Sequence, residues 1–160
     1  MGASRILVID DDENIRVTLA SMLKEHGYIV DTAETGTEAI EKSESTYYNA
    51  ALIDVRLPDM NGSNLLNMLK RSTPKLIMII VTGYPSLENA VIAVNDGADG
   101  YLIKPIKPNE LLSKLSALIK KQREEAEYGE TKVAEYIESR LRQFAMQPKP
   151  VNPKEEESEE

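Results

Sequence analysis

Apolar residues follow two alternating rhythms along this chain. Short unbroken runs, Ile6-Leu7-Val8-Ile9, Ala50-Ala51-Leu52-Ile53 and Leu76-Ile77-Met78-Ile79-Ile80-Val81, alternate with segments whose apolar residues recur every three or four positions. The runs have the length and composition of strands buried on both faces, the intervening segments those of helices with one face inward. Tyr101-Leu102-Ile103 is a shorter run of the first kind, and residues 28–33 read as a further strand. After the first run, Ile15, Leu19, Met22 and Leu23 share a helical face that closes at His26-Gly27, where glycine suits a left-handed cap. A second helix is predicted over Gly36 to Ser45, with Ala39 and Ile40 inward. Pro58, Asn61 and Gly62 mark a loop before a third helical face of Leu65, Leu66, Met68 and Leu69. Pro85-Ser86 opens a fourth helix bearing Ala90, Val91 and Val94, stopped by Asn95-Asp96-Gly97. Pro108 sits at the first turn of a fifth, carried by Leu111, Leu112, Leu115, Leu118 and Ile119. Five strand-helix pairs within residues 4–121 predict an α/β fold, a doubly wound five-stranded parallel sheet flanked by five helices with right-handed crossovers.

Beyond residue 121 the helical rhythm resumes with Val133, Ile137, Leu141 and Phe144, flanked by Lys132, Glu135, Glu138, Arg140 and Arg142. Residues 122–147 therefore read as a C-terminal helical extension. A break is expected near Gly129, since glycine costs a helix about 1 kcal/mol against alanine. Pro148, Pro150, Pro153 and the run of glutamates after them give residues 148–160 the composition of a disordered acidic tail.

The 160 residues carry a formal net charge of -8, which opposes direct binding to nucleic acid or insertion at an anionic membrane face. Residues 121–149 balance acids and bases, so the extension offers no basic face for a helix-turn-helix. The chain has no cysteine and no apolar stretch long enough to span a bilayer, and a cytoplasmic setting is the expectation.

Chemistry gathers where the predicted strands end. Asp10, Asp11 and Asp12 follow the first run, Asp54 follows the third strand, Thr82 the fourth and Lys104 the fifth. In one parallel sheet these positions share the C-terminal edge, where open α/β sheets place ligands. Clustered carboxylates form a hard anionic oxygen site suited to Mg²⁺. Lys104 offers a point charge and Thr82 a hydrogen bond to phosphoryl oxygens, leaving Asp54, alone at its strand end, as the candidate nucleophile.

With those residues in place the chain resembles the receiver domains of two-component response regulators. The blocks that carry the resemblance are Ile9-Asp10-Asp11-Asp12, Asp54-Val55-Arg56-Leu57-Pro58-Asp59-Met60-Asn61-Gly62, Val81-Thr82-Gly83-Tyr84 and Lys104-Pro105. The resemblance implies the strand order 2-1-3-4-5, an order for which a receiver protein is itself a standard example. It implies that Asp54 accepts a phosphoryl group from a sensor histidine kinase or a histidine phosphotransfer protein. Mg²⁺ would be held by Asp10, Asp11, Asp54 and the main-chain carbonyl of Arg56, with Thr82 and Lys104 touching the phosphoryl group. Tyr101 would turn inward as Thr82 moves, and Arg56 and Tyr84 would border the path of the hydrolytic water. Asp12 is extra to the usual acidic pair and reads as the cap of the first helix.

A haloacid dehalogenase-like phosphohydrolase also places Asp-x-Asp after its first strand, but Asn14 stands where that family has threonine and no cap insertion is present. An adaptor of the same fold that works without phosphorylation is the other alternative, opposed by the complete motif. His26, in the last turn of the first helix, reads as structural. The module is thus expected to be a signalling switch rather than a metabolic enzyme. Its output is expected to pass to an unnamed downstream protein rather than to DNA, and its helical extension to pair with a second copy of the chain or with that target.

Overall fold

The computed structural model of the protein describes residues 2–146 apart from positions 74, 84, 85, 87–89, 92 and 93. Five parallel strands, β1(Arg5–Ile9), β2(Ile29–Ala33), β3(Ala50–Asp54), β4(Ile77–Thr82) and β5(Gly100–Ile103), form one sheet in the order β2-β1-β3-β4-β5. The sheet order and doubly wound architecture are those expected. Because successive side chains of a strand point to opposite faces, each central strand feeds two apolar layers. Ile6, Val8, Leu52 and Ile79 pack on one side with α1(Glu13–Glu25) and the start of α4(Pro108–Met146) through Leu19, Leu23, Leu111 and Leu115. Leu7, Ile9, Ile53 and Ile80 pack on the other with α2(Gly36–Ser45) and α3(Gly62–Ser72) through Ala39, Leu65, Leu66 and Leu69. Every residue of β3 and β4 is buried, which is why those runs show no polar alternation.

Local signals set the helix ends. Asp12 accepts from the backbone N–H of Asn14 and Ile15 and so caps α1, as the sequence suggested. Thr35 and Asn61 cap α2 and α3 in the same way. Gly27, at φ +88, supplies the left-handed turn after α1. Between β4 and β5, Ala90, Val91, Val94 and Asn95 are helical; much of the predicted fourth helix lies outside the described residues, as do Tyr84 and the tail from 147.

The chain divides into two units, residues 1–122 and 123–160. The expected break near Gly129 is absent, and α4 continues through it to Met146. Gly129 stands among Glu127, Glu130, Lys132 and Ala134, strong helix formers that absorb a single penalty of about 1 kcal/mol. Among the described residues no helix is long and apolar enough to cross a membrane.

Candidate phosphoacceptor site

The register of the sheet assembles the site. Ile9 pairs with Ile53, Asp54 with Val81 and Thr82 with Ile103, so the chain emerges from four strands at nearly one level. Asp10, Asp11 and Asp54 each bring a carboxylate oxygen within 4.8 Å of the others. Asp10 is 3% and Asp54 8% exposed, whereas Asp11 is open to solvent. An all-oxygen set of this size, one side closed by protein and one open, fits a Mg²⁺ that keeps part of its water.

Lys104 reaches this cluster from the end of β5. Its Nζ lies 2.8 Å from Asp10 Oδ2 and 3.6 Å from Asp54 Oδ2. Its backbone N–H donates to the Thr82 carbonyl at 2.7 Å, which ties the two strand ends together, and the peptide bond to Pro105 is cis. Burial works to lower the ammonium's pKa, but its hydrogen bond to Asp10 and the charges of Asp54 and Asp10 raise it above the ordinary lysine range.

Asp54 is pushed up to about 6 from an ordinary 3.8. Burial is the main cause, followed by the charge of Asp10; Lys104 and the Arg56 backbone N–H, which donates to Asp54 Oδ1 at 3.3 Å, oppose it only in part. The site thus holds more negative charge than its own cation offsets, the condition under which a divalent ion is drawn in. Thr82 is 1% exposed, one residue past the Val81 that pairs with Asp54. Tyr101 is half-buried among the residues packed under α2 and α3, and its hydroxyl is buried with no hydrogen-bond partner among the described residues.

Two contributors had not been singled out from the sequence. Arg16, on the inner face of α1, donates from Nη1 to the Asp10 carbonyl at 2.8 Å and pairs through Nη2 with Glu34 at 2.9 Å. It holds the turn that carries Asp10 and Asp11. The available signal was an arginine spaced three and four residues from Leu19 and Ala20 on an otherwise apolar face. Asp59, in the loop after Asp54, accepts from the backbone N–H of Gly36 and Thr37 at 2.9 Å each and from Thr37 Oγ1 at 2.6 Å. Those bonds, the hydroxyl's first, hold its carboxyl down at about 2. The Met60 side chain packs against Gly36 closely enough that a Cβ there would make it shift. No local pattern announces a contact of that sequence separation. Beside Lys104 a largely apolar groove of about 580 Å³ is lined by Ile15, Thr18, Leu19, Pro105 and Ile106, together with Asn14.

A doubly wound sheet of order 2-1-3-4-5 that gathers paired acids, a strand-end aspartate and a lysine at its C-terminal edge has its charged groups where open α/β folds bind ligands. The chain belongs to the response regulator receiver domain family, whose model matches residues 6–116. Among curated relatives, the cell cycle response regulator CtrA of Brucella suis is 32% identical over 123 residues, covering 77% of this chain and 53% of that protein. The chain therefore spans about half the length of the curated relatives it matches. Among solved structures, a CheY-like response regulator receiver domain protein from Methanospirillum hungatei is 41% identical, with a TM-score of 0.75 over 78% of this chain and 99% of that one. A response regulator protein from Burkholderia pseudomallei, solved with a phosphorylated aspartic acid, a calcium ion and citrate, is 35% identical, with a TM-score of 0.68 over 77% and 73%. Receiver domains are signalling modules that interact with histidine kinases, bind Mg²⁺ at an acidic site and switch on phosphorylation.

Proposed function

We propose that Asp54 is the phosphoacceptor of this chain and that its phosphorylation by a sensor histidine kinase or histidine phosphotransfer protein switches the affinity of a downstream protein. The observation that carries this reading is the convergence of Asp10, Asp11 and Asp54 within 4.8 Å beside the Lys104 ammonium. An Asp54 carboxylate oxygen bonds to phosphorus as the donor's nitrogen–phosphorus bond breaks, and the imidazole leaves with the bonding pair. Bound Mg²⁺, held by Asp10, Asp11, Asp54 and the Arg56 carbonyl, supplies positive charge that offsets the acids and the incoming phosphoryl group. Lys104 then exchanges its contact with Asp10 and Asp54 for a phosphoryl oxygen, and Thr82 donates to another. Tyr101 completes the switch by following Thr82.

Incubation with acetyl phosphate and Mg²⁺ should add the mass of one phosphoryl group, and Asp54→Asn or excess chelator should abolish it. Asp11→Ala, at the open side of the cluster, should lower Mg²⁺ affinity by about 10- to 100-fold, or about 1.4 to 2.7 kcal/mol. Full labelling of Asp54→Asn would overturn the assignment.

A further inference from the structure

The second unit presents an exposed stripe that is both apolar and charged. At 3.6 residues per turn, Ala126, Glu130, Val133, Ile137, Arg140 and Phe144 all fall within a sector about 80° wide on α4. Val133, Ile137 and Phe144 are 59%, 53% and 72% exposed. A stripe of this kind stabilises a helix chiefly by meeting another helix.

The order of residues along it selects the partner and its direction. Opposite charges occupy the two halves, Glu130 before the midpoint near position 135 and Arg140 the same distance after it. Parallel pairing in register would set Glu130 against Glu130 and Arg140 against Arg140, a like-charge clash in both layers. Antiparallel pairing of two identical segments about position 135 sets Glu130 of each copy across from Arg140 of the other. The same register places Val133 opposite Ile137 twice and the small Ala126 opposite the large Phe144 twice, so volumes match as charges do. Arg140 is already turned along the helix surface, donating from Nε to Tyr136 Oη at 3.2 Å with its guanidinium 5.6 Å from that ring.

We propose that residues 126–144 form an antiparallel helix pair with the same residues of a second copy of this chain. The charged layer fixes direction and register, while the apolar layers on either side supply most of the attraction. The pairing residues include none of the Asp54 site, and their test uses no phosphodonor, so its outcome and that of the phosphoacceptor reading are independent.

Sedimentation of the full chain at about 100 µM should show dimer, as expected for a helix pair of about five turns, and Ile137→Glu should raise the dissociation constant at least about tenfold. Glu130→Arg alone should weaken the dimer, and adding Arg140→Glu should restore it, since the exchange keeps unlike charges opposed only in the antiparallel register. The chain contains no cysteine, so single introduced thiols report the geometry without background. An oxidised mixture of Ala126→Cys and Phe144→Cys chains should yield the 126–144 disulfide, and neither variant alone should cross-link. Circular dichroism on each variant checks that helix content is kept. A chain that stays monomeric, a dimer without the 126–144 cross-link, or self-linking of Ala126→Cys would each overturn the proposal.

Discussion

Two clusters of charged and polar residues lie against the same sheet and behave in opposite ways. Near its start, the Asp31 carboxylate receives the Arg5 guanidinium at 3.1 Å and the buried Tyr48 hydroxyl at 2.7 Å. Burial acts to raise Asp31, but the hydrogen bonds from Tyr48 and Arg5 outweigh it and the carboxyl sits below its usual range; the Tyr48 hydroxyl is driven upward, by burial first and by Asp31 second. At the other end, Asp54 is buried beside further carboxylates and is raised to about 6. The residue type is the same and the sign of the shift is reversed. An acid whose partners overcompensate its burial holds the fold together, whereas an acid left undercompensated is poised for a ligand that the protein does not itself supply.

The largest effect that can test this contrast is expected at the first cluster. Asp31→Ala leaves the Tyr48 hydroxyl, on a residue 1% exposed, without its acceptor and removes the partner of Arg5. Unfolding free energy should fall by about 2 kcal/mol, while Mg²⁺ affinity and phosphoryl labelling stay as in the parent chain. Denaturant titration and labelling on the same preparation check both halves. Loss of labelling with stability intact would mean that the two clusters are coupled.

Asp54→Asn is the converse experiment. The folded carboxyl has a pKa raised above its unfolded value of 3.8, so the folded state binds a proton more tightly than the unfolded chain does. Stability referred to the neutral group is full below pH 3.8 and is lost as pH climbs to about 6. The shift corresponds to about 3 kcal/mol, which relaxation and water entry around the charged form reduce, so without metal Asp54→Asn should be more stable than the parent chain at neutral pH by about 1 to 2 kcal/mol, and the difference should vanish near pH 4. Mg²⁺ should narrow the gap at neutral pH by binding only the parent site tightly. Thermal melts across that range, with and without the ion, measure it.

Most of the arrangement that positions the site was legible because it is local. Apolar runs announce strands buried on both faces, and the residue just past the end of each run must emerge at the same sheet edge, so the sequence alone places Asp10, Asp54, Thr82 and Lys104 together. Asp12 was legible as a cap for a similar reason, since the N–H groups it accepts from lie two and three residues away. The contacts that were not legible depend on distant pairing. Asp59 meets Gly36 and Thr37 across two elements, Arg16 meets Glu34 across a strand, and Tyr48 meets Asp31 across the sheet. No periodicity encodes such contacts. The continuity of α4 through Gly129 was missed for another reason: a glycine penalty weighed alone overlooks the helix formers on both sides of it.

The smallest expected effect concerns how long the undercompensated site keeps its phosphoryl group. Arg56 donates its backbone N–H to Asp54, so its exposed side chain leaves the chain close to that carboxylate. A guanidinium donates hydrogen bonds but accepts none, and it cannot act as the acceptor that aligns a water for attack on phosphorus. A carboxamide oxygen can accept a hydrogen bond from that water while leaving the water's own oxygen free to attack. The phosphorylated chain should accordingly persist for minutes or longer at room temperature, and Arg56→Asn should shorten that lifetime by about two- to fivefold, less than 1 kcal/mol of barrier. The decay of label after removal of the donor gives both values. A parent lifetime of seconds would show that water is oriented by another group, and an unchanged rate in Arg56→Asn would place the limit on access rather than alignment, with a further smaller residue at Tyr84 as the substitution that tells the two apart.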